Sequence, residues 1–404
     1  VYGEEYPFVL TEIICMFRFI GFFLAIIFFQ SAYAQVLLTK EAAVELALNN
    51  QRNLKAASLS LQQQQQLSKR AGGLDNPQVT VGASPYEPLV LGIQQNLSLP
   101  GVYRNRRALQ NERIQLARLQ LQGSQYELKK EVQLTYLQLQ YLNERQILFS
   151  YQDSIYQAIK TSSQRFFDAG QINKLEELQA TTQSDGIRNQ LQRIQADRDA
   201  ILQIFRFYTA YQDAIIVELM QTYQLAPSTD LILNNIQQQI LQQQIAISQR
   251  QIQVERSNLL PGFTTGVLFP TTKNYERPIG YQVGVTLPVW RKQNRSRIAS
   301  AQISFDITRA QQELEQQRLN AQYRQALTNY QRELQSLDYF INTALPQARK
   351  IIEISQRLFQ GGELNYIESL RNLQTAFEIF INHLDTHRMY NESVIQLNYL
   401  NGKL

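Results

Sequence analysis

Apolar and polar residues alternate in two short parts of the chain and follow a helical period nearly everywhere else. Val79, Val81 and Ala83 alternate with Gln78, Thr80, Gly82 and Ser84. Leu89, Leu91, Ile93, Leu97 and Leu99 then alternate with Gly92, Gln94, Asn96 and Ser98. The pattern returns where Tyr281, Val283, Val285 and Leu287 are separated by Gln282, Gly284 and Thr286. A period of two predicts strands with one apolar and one polar face. Each run is about nine to eleven residues long, the length of a tilted strand crossing a bilayer. The spacing therefore predicts strand pairs at 76–100 and 261–290, with lipid on one face and water on the other. Four strands cannot close a barrel, so several chains must contribute.

The remainder reads as helix. From Tyr103 to about Arg165 there is no proline, and Gly123 alone interrupts; some sixty residues at ~1.5 Å rise give ~90 Å. Leu128, Val132, Thr135, Leu139 and Leu142 follow heptad spacing, and Leu134, Leu137, Tyr141 and Leu148 form a second stripe. Two stripes suit a stave with a neighbour on each side. The helix resumes after Gly170, runs to about Tyr208, and the arrangement recurs around Gly362. These are expected to be antiparallel hairpins with the glycine motifs at their tips.

Three landmarks recur in order. Pro77 with Gly82 matches Pro261 with Gly266 at a separation of 184; Leu99-Pro100 matches Leu287-Pro288 at 188; Gly170 matches Gly362 at 192. Ordered landmarks with small drifts point to an internal duplication, with repeats at 35–226 and 227–404.

Composition agrees with long helices: 404 residues, 44% apolar, only 17 glycines and 11 prolines, and glutamine runs such as Gln62 to Gln66. A net charge of +5 is scattered along the chain, so no nucleic acid partner is expected. At the N-terminus Arg18, the apolar run Phe19 to Phe29 and Ala32-Tyr33-Ala34 read as an export signal cleaved before Gln35. Residues 1–15, ahead of Met16, read as an upstream extension of that 1–34 signal segment. An uncleaved anchor helix is the alternative, but the run falls short of the roughly 20 residues a span needs. Cys15 is the sole cysteine, so the mature chain lacks a thiol for disulfides, metal ligation, lipid attachment or catalysis. No phosphate loop, nucleophile elbow or paired acid/base constellation is present; neither an enzyme nor a cofactor is expected. An exported coiled-coil scaffold without a pore is the competing reading, and it has no use for the four alternating segments.

The stretch LTKEAAVELALNN (Leu38 to Asn50) followed by Leu54, the strand pairs ending in Leu-Pro, and the tips at Gly170 and Gly362 resemble the TolC family of outer membrane efflux proteins over residues 35–404. The resemblance implies a mainly α chain with a small transmembrane β part. Long helical hairpins form an α-barrel tunnel, and four strands per protomer enter a trimeric 12-stranded β-barrel. It implies a homotrimer in the outer membrane of a Gram-negative bacterium, extending into the periplasm. It also implies a periplasmic adaptor (membrane fusion) protein and an inner membrane transporter, expected to be proton-driven, that supplies the energy.

Site residues follow partly from the resemblance and partly from the residues themselves. Members of the family often carry an acid six positions after the second-tip glycine, narrowing the tunnel mouth; here it is Glu368, with Glu176 its first-copy counterpart. Some carry another acid three positions on, where this chain has Arg371. A carboxylate ring would favour cations; pairing of Glu368 with Arg371, or a plain solvated glutamate, are the alternatives. At the tips, Gly170-Gln171-Ile172-Asn173 and Gly362-Glu363-Leu364-Asn365, glycine allows a sharp turn and asparagine caps the returning helix. Ile172 or Leu364 would offer an apolar knob, and the resemblance implies that the adaptor docks here. A turn without a partner is the alternative. Arg104, Arg106 and Arg107 follow the first strand pair, and Arg291, Lys292, Arg295 and Arg297 the second. Cations at a helix start oppose the macrodipole; a place beside outer membrane lipid headgroups explains them as well as ordinary solvation does. His383 and His387 flank Asp385 at i,i+4 and could share a metal, but no third ligand and no HExxH glutamate accompany them, so no metal site is expected. The pair and the compact length lean toward heavy metals as cargo; drugs and polypeptides stay open.

Overall fold

A computed structural model describes residues 36–84, 87–226, 235–270, 279–361, 363 and 366–404. The export signal and its cleavage point lie outside the described residues. In chain order the elements are β1 (Val36–Leu38), α1 (Lys40–Asn49), α2 (Gln51–Arg70), β2 (Gln78–Ser84), β3 (Glu87–Leu97), α3 (Pro100–Asp168) and α4 (Lys174–Thr209). They continue with β4 (Ile215–Val217), α5 (Ile236–Ser257), β5 (Gly262–Pro270), β6 (Gly280–Thr286), α6 (Arg291–Tyr339), a π-helical turn (Phe340–Ala344), α7 (Leu345–Gln360) and α8 (Tyr366–Leu400). A helix, a strand pair, a long outward limb, a glycine turn and a returning helix thus occur twice, as α2–α4 and α5–α8.

The strand pairs join into one antiparallel sheet of order β2-β3-β5-β6. The register aligns Val79, Ile93, Val267 and Tyr281 in one row, and Val81, Leu91 and Phe269 in another on the same face. Gln78, Gln94, Gly266 and Gln282 fill a row on the opposite face. Several residues break the alternation, Gln95 and Leu268 among them. Gln95, level with Thr265 and Val283, lies on the apolar face and turns its amide to the Asp75 carbonyl at 2.6 Å. Leu268 lies on the polar face over Gly92, where an added Cβ would come within 2.9 Å of the Leu268 Cδ2. Among the described residues, nothing pairs with the outer edges of β2 and β6, and Tyr281 on β6 is 82% exposed.

Pro100 opens α3 in the first turn, where its missing N–H removes no intrahelical bond. The helix then runs 69 residues, about 100 Å. Both apolar stripes find partners. Leu128, Val132 and Leu139 bury against Ala43, Ala47 and Phe205, while Leu137, Tyr141 and Leu142 bury with Ile194, Leu384 and Ile395. Leu142 therefore joins the second stripe, not the first. Thr135, also placed on the first stripe, spends its hydroxyl on the Glu131 carbonyl one turn back.

Midway along α3 a second small sheet is packed. There β1 pairs in parallel with β4, and the Tyr136 hydroxyl ties them together: it donates to the Leu38 carbonyl at 2.6 Å and accepts from the Glu218 N–H. In the second repeat the outward limb is not one helix. Pro346 has no N–H and crowds the carbonyl four residues back, and the chain makes the wider turn Phe340–Ala344 immediately before it. Among the described residues no helix is long and apolar enough to cross a membrane.

Candidate functional site

The first hairpin tip is built from local hydrogen bonds. Gly170 takes φ +71°, a left-handed conformation that a side chain resists even though the space around it is open. The Gly170 N–H reaches the Phe167 carbonyl at 2.9 Å, and the Gln171 N–H reaches the Phe166 carbonyl at 2.8 Å. These two bonds satisfy carbonyls left open at the end of α3. Asn173 then caps α4. Its side chain accepts from the Glu176 N–H at 3.0 Å, and the Glu176 carboxylate accepts from the Asn173 N–H at 2.9 Å. The first-copy acid thus has a local structural task.

The second tip starts the same way: Gly361 N–H bonds to the Arg357 carbonyl and Glu363 N–H to the Leu358 carbonyl, each at 2.9 Å. Gly362, Leu364 and Asn365 lie outside the described residues. Glu368 and Arg371 are exposed on the first turns of α8.

The two tips meet. A groove of about 370 Å³ runs between the first turns of α4 and α8, lined by Leu175, Leu178, Thr182, Ile367, Leu370 and Arg371. Leu175 and Leu178 each leave more than half their surface in the open, whereas Ile172 is half-buried. Leu175 and Leu178, inside the returning helix, therefore expose more apolar surface at this end than Ile172 does. Their i,i+3 spacing just after the Asn173 cap was the signal for it. Below the groove the hairpins are held by Tyr156, Ala180, Ala348, Leu373 and Phe377, with small alanines letting the helices approach. Lys174 covers Glu177, which is buried, and with the Thr181 hydroxyl holds its carboxyl below the ordinary range.

At the opposite end, near the sheet, the basic residues differ in their environment. Arg104 and Arg107 are exposed and Arg106 is half-buried. The Arg107 guanidinium bonds to the Gly72 carbonyl at 3.0 Å and lies where a Cβ on residue 72 would be, 1.7 Å from that point. Lys292, Arg295 and Arg297 are exposed on α6; the Arg291 side chain lies outside the description.

His383 and His387 face each other with ring centroids 5.9 Å apart. They line a mostly apolar cavity of about 560 Å³ with Ile147, Leu219, Ile341 and Glu144. Burial, and then the neighbouring His383, push His387 down to about 4; burial also lowers His383. Asp385, between them in sequence, turns away and accepts a short bond from the Tyr141 hydroxyl. Among the described residues no three metal-ligating side chains converge.

No known family model matches the chain, and no curated protein matches it. Solved structures do. The Campylobacter jejuni CmeC outer membrane channel aligns with a TM-score of 0.78 at 14% identity, covering 90% of this chain and 85% of its own. CusC, a protein studied for folding and transmembrane channel formation, gives 0.78 at 14% identity, covering 92% and 94%. The outer membrane protein VceC of Vibrio cholerae gives 0.75 at 14% identity, covering 90% and 96%. At this identity the likeness carries the fold. The chain has the fold of the outer membrane efflux channels, as the resemblance to the TolC family implied, and the matches single out no one type among them.

Proposed function

We propose that the chain is the outer membrane exit duct of a tripartite efflux pump of a Gram-negative bacterium. It is a passive channel through which solutes or metal cations cross the periplasm and the outer membrane. The observation that carries this reading is the four-stranded sheet. It has an apolar face in the open, a mainly small and polar face behind it, two edges that nothing pairs with among the described residues, and helical hairpins about 100 Å long extending from its base. Three copies that pool their sheets make a 12-stranded barrel, and the hairpins continue it as a tunnel. A scaffold without a pore leaves the sheet without a purpose.

The remaining parts fall into place on this reading. The tips face the periplasm and meet an adaptor, with the exposed Leu175 and Leu178 as the apolar contact. Glu368 and Arg371 stand near the tunnel mouth, and the doubled element order descends from an internal duplication. Arg104, Arg106, Arg107, Lys292 and Arg295, with Arg291, lie at the periplasmic membrane surface. An inner membrane transporter, proton-driven, does the uphill work. The channel proteins that share this fold support the reading. Planar-bilayer recording on the detergent-purified mature protein is the test: discrete ion-conducting steps from a trimeric species are expected. A protein that stays soluble and monomeric without detergent, and conducts nothing, overturns the proposal.

A further inference from the structure

Each repeat has a hollow where the helix entering its strand pair meets the helix leaving it, and the two hollows differ in chemistry. The first, of about 440 Å³, lies between the end of α2 and the start of α3 and is lined by Arg70, Arg106, Arg113, Asp75, Leu67 and Leu74. The second, of about 620 Å³, lies between α5 and α6 and is lined by Glu255 and Arg297 among serine, asparagine and glutamine side chains. Counting three arginines against one aspartate, the first holds a net +2; one glutamate against one arginine leaves the second at zero. The same place in the fold does not require the charge.

Asp75 offsets one of the three charges, but among the described residues none of Arg70, Arg106 and Arg113 forms an ion pair, and Arg107 beside them is spent on the Gly72 carbonyl. Helix stability explains Arg70 at the C-terminal end of α2 but not Arg106 and Arg113, two turns apart on one face of α3. Like charges around one cavity repel unless an anion joins them, and guanidinium groups fit the oxygens of a phosphate in pairs. The rim adds an apolar component, with Leu67 46% and Leu74 62% exposed at the level where the sheet begins. Three cations beside two exposed leucines match a phosphate that carries hydrocarbon.

We infer that this hollow binds the phosphate headgroup of an anionic phospholipid, with Arg70, Arg106 and Arg113 on the phosphate and Leu67 and Leu74 against its glycerol and upper acyl carbons. The inference rests on the reading that the sheet crosses a membrane. It goes further in naming one lipid-specific site in the first repeat, built with two residues outside the basic cluster of α3's first turns.

The test is native mass spectrometry and calorimetry of the full mature chain in detergent, titrated with phosphatidylglycerol, phosphatidylcholine and inorganic phosphate. Phosphatidylglycerol is expected to bind at least tenfold tighter than either of the others, and the triple variant R70Q/R106Q/R113Q to lose that preference. R297Q, in the second hollow, should keep it. If the triple variant does not fold, R113Q alone, at an exposed helical position, should weaken phosphatidylglycerol binding at least threefold. Equal binding of phosphatidylglycerol by wild type and variants, or inorganic phosphate binding as tightly as the lipid, overturns the inference. Conductance of the unaltered protein is read separately. A chain that conducts without lipid preference loses only this site, and one that binds the lipid without conducting loses the duct.

Discussion

The two repeats close their hairpins with the same bonds but reach them by different limbs. Gln171 N–H to the Phe166 carbonyl in the first tip corresponds to Glu363 N–H to the Leu358 carbonyl in the second, each five residues back and 192 apart. The limb leading to the first is a single 69-residue helix; the limb leading to the second is α6, a π-helical turn and α7, jointed at Pro346. Charge and titration differ as well. The second repeat carries His383 and His387 where the first, 192 residues earlier, has Leu191 and Gln195. Tip geometry is thus dictated by a few local bonds, while the bends, cavities and titrating groups that tell the repeats apart are set by single residues along the limbs.

That comparison can be broken at several points. Replacing Gly170 by valine forces a β-branched residue into φ +71° and destroys the turn. If the chain is the proposed efflux duct, cells carrying G170V are expected to accumulate efflux substrates as a deletion strain does, while the protein still reaches the membrane; normal efflux would show that the first tip is dispensable. Next in size is the histidine difference. His387 is neutral in the fold down to about pH 4, whereas the unfolded chain takes up a proton near its ordinary value of 6.5. Stability therefore falls as pH drops from about 6.5 to 4, by roughly 3 kcal/mol at most from this group. H387Q, which copies the first repeat's glutamine, should flatten that part of the profile in denaturant melts compared with wild type. The tip acids separate more finely. E176A removes half of the capping box and should cost about 1 kcal/mol of stability with ion preference unchanged. E368A should lower the cation preference of single channels; if both variants behave alike, the repeats use their acids in the same way.

Much of this architecture was legible before the structure because it rests on periodicity and punctuation. Alternation placed β2, β3 and β6, the repeated landmark Pro261 with Gly266 placed β5, and the absence of proline over sixty residues marked α3. Gly170 and Asn173 announced a turn and a cap whose bonds are the ones found. Helical spacing does not reveal which stripe meets which neighbour, so Leu142 was assigned to the wrong side. Ile172 stands at the tip in sequence and is half-buried, whereas Leu175 and Leu178 in the returning helix are left outside. Pro346, inside an otherwise helical run, was the available sign of the broken limb. Arg70 and Arg113 come together with Arg106 only when α2 packs on α3, a contact between residues 36 and 43 positions apart in the chain that no local pattern encodes.

The sheet begins with a strand running one way and ends with one running the other. Copies laid side by side therefore meet at antiparallel seams whatever their number, and strand polarity places no limit on how many join. In the proposed assembly girth would then fall to the helical staves, whose flanks would set the angle from one copy to the next. Substitutions on those flanks, far from any strand, are where the size of the assembled ring is open to change.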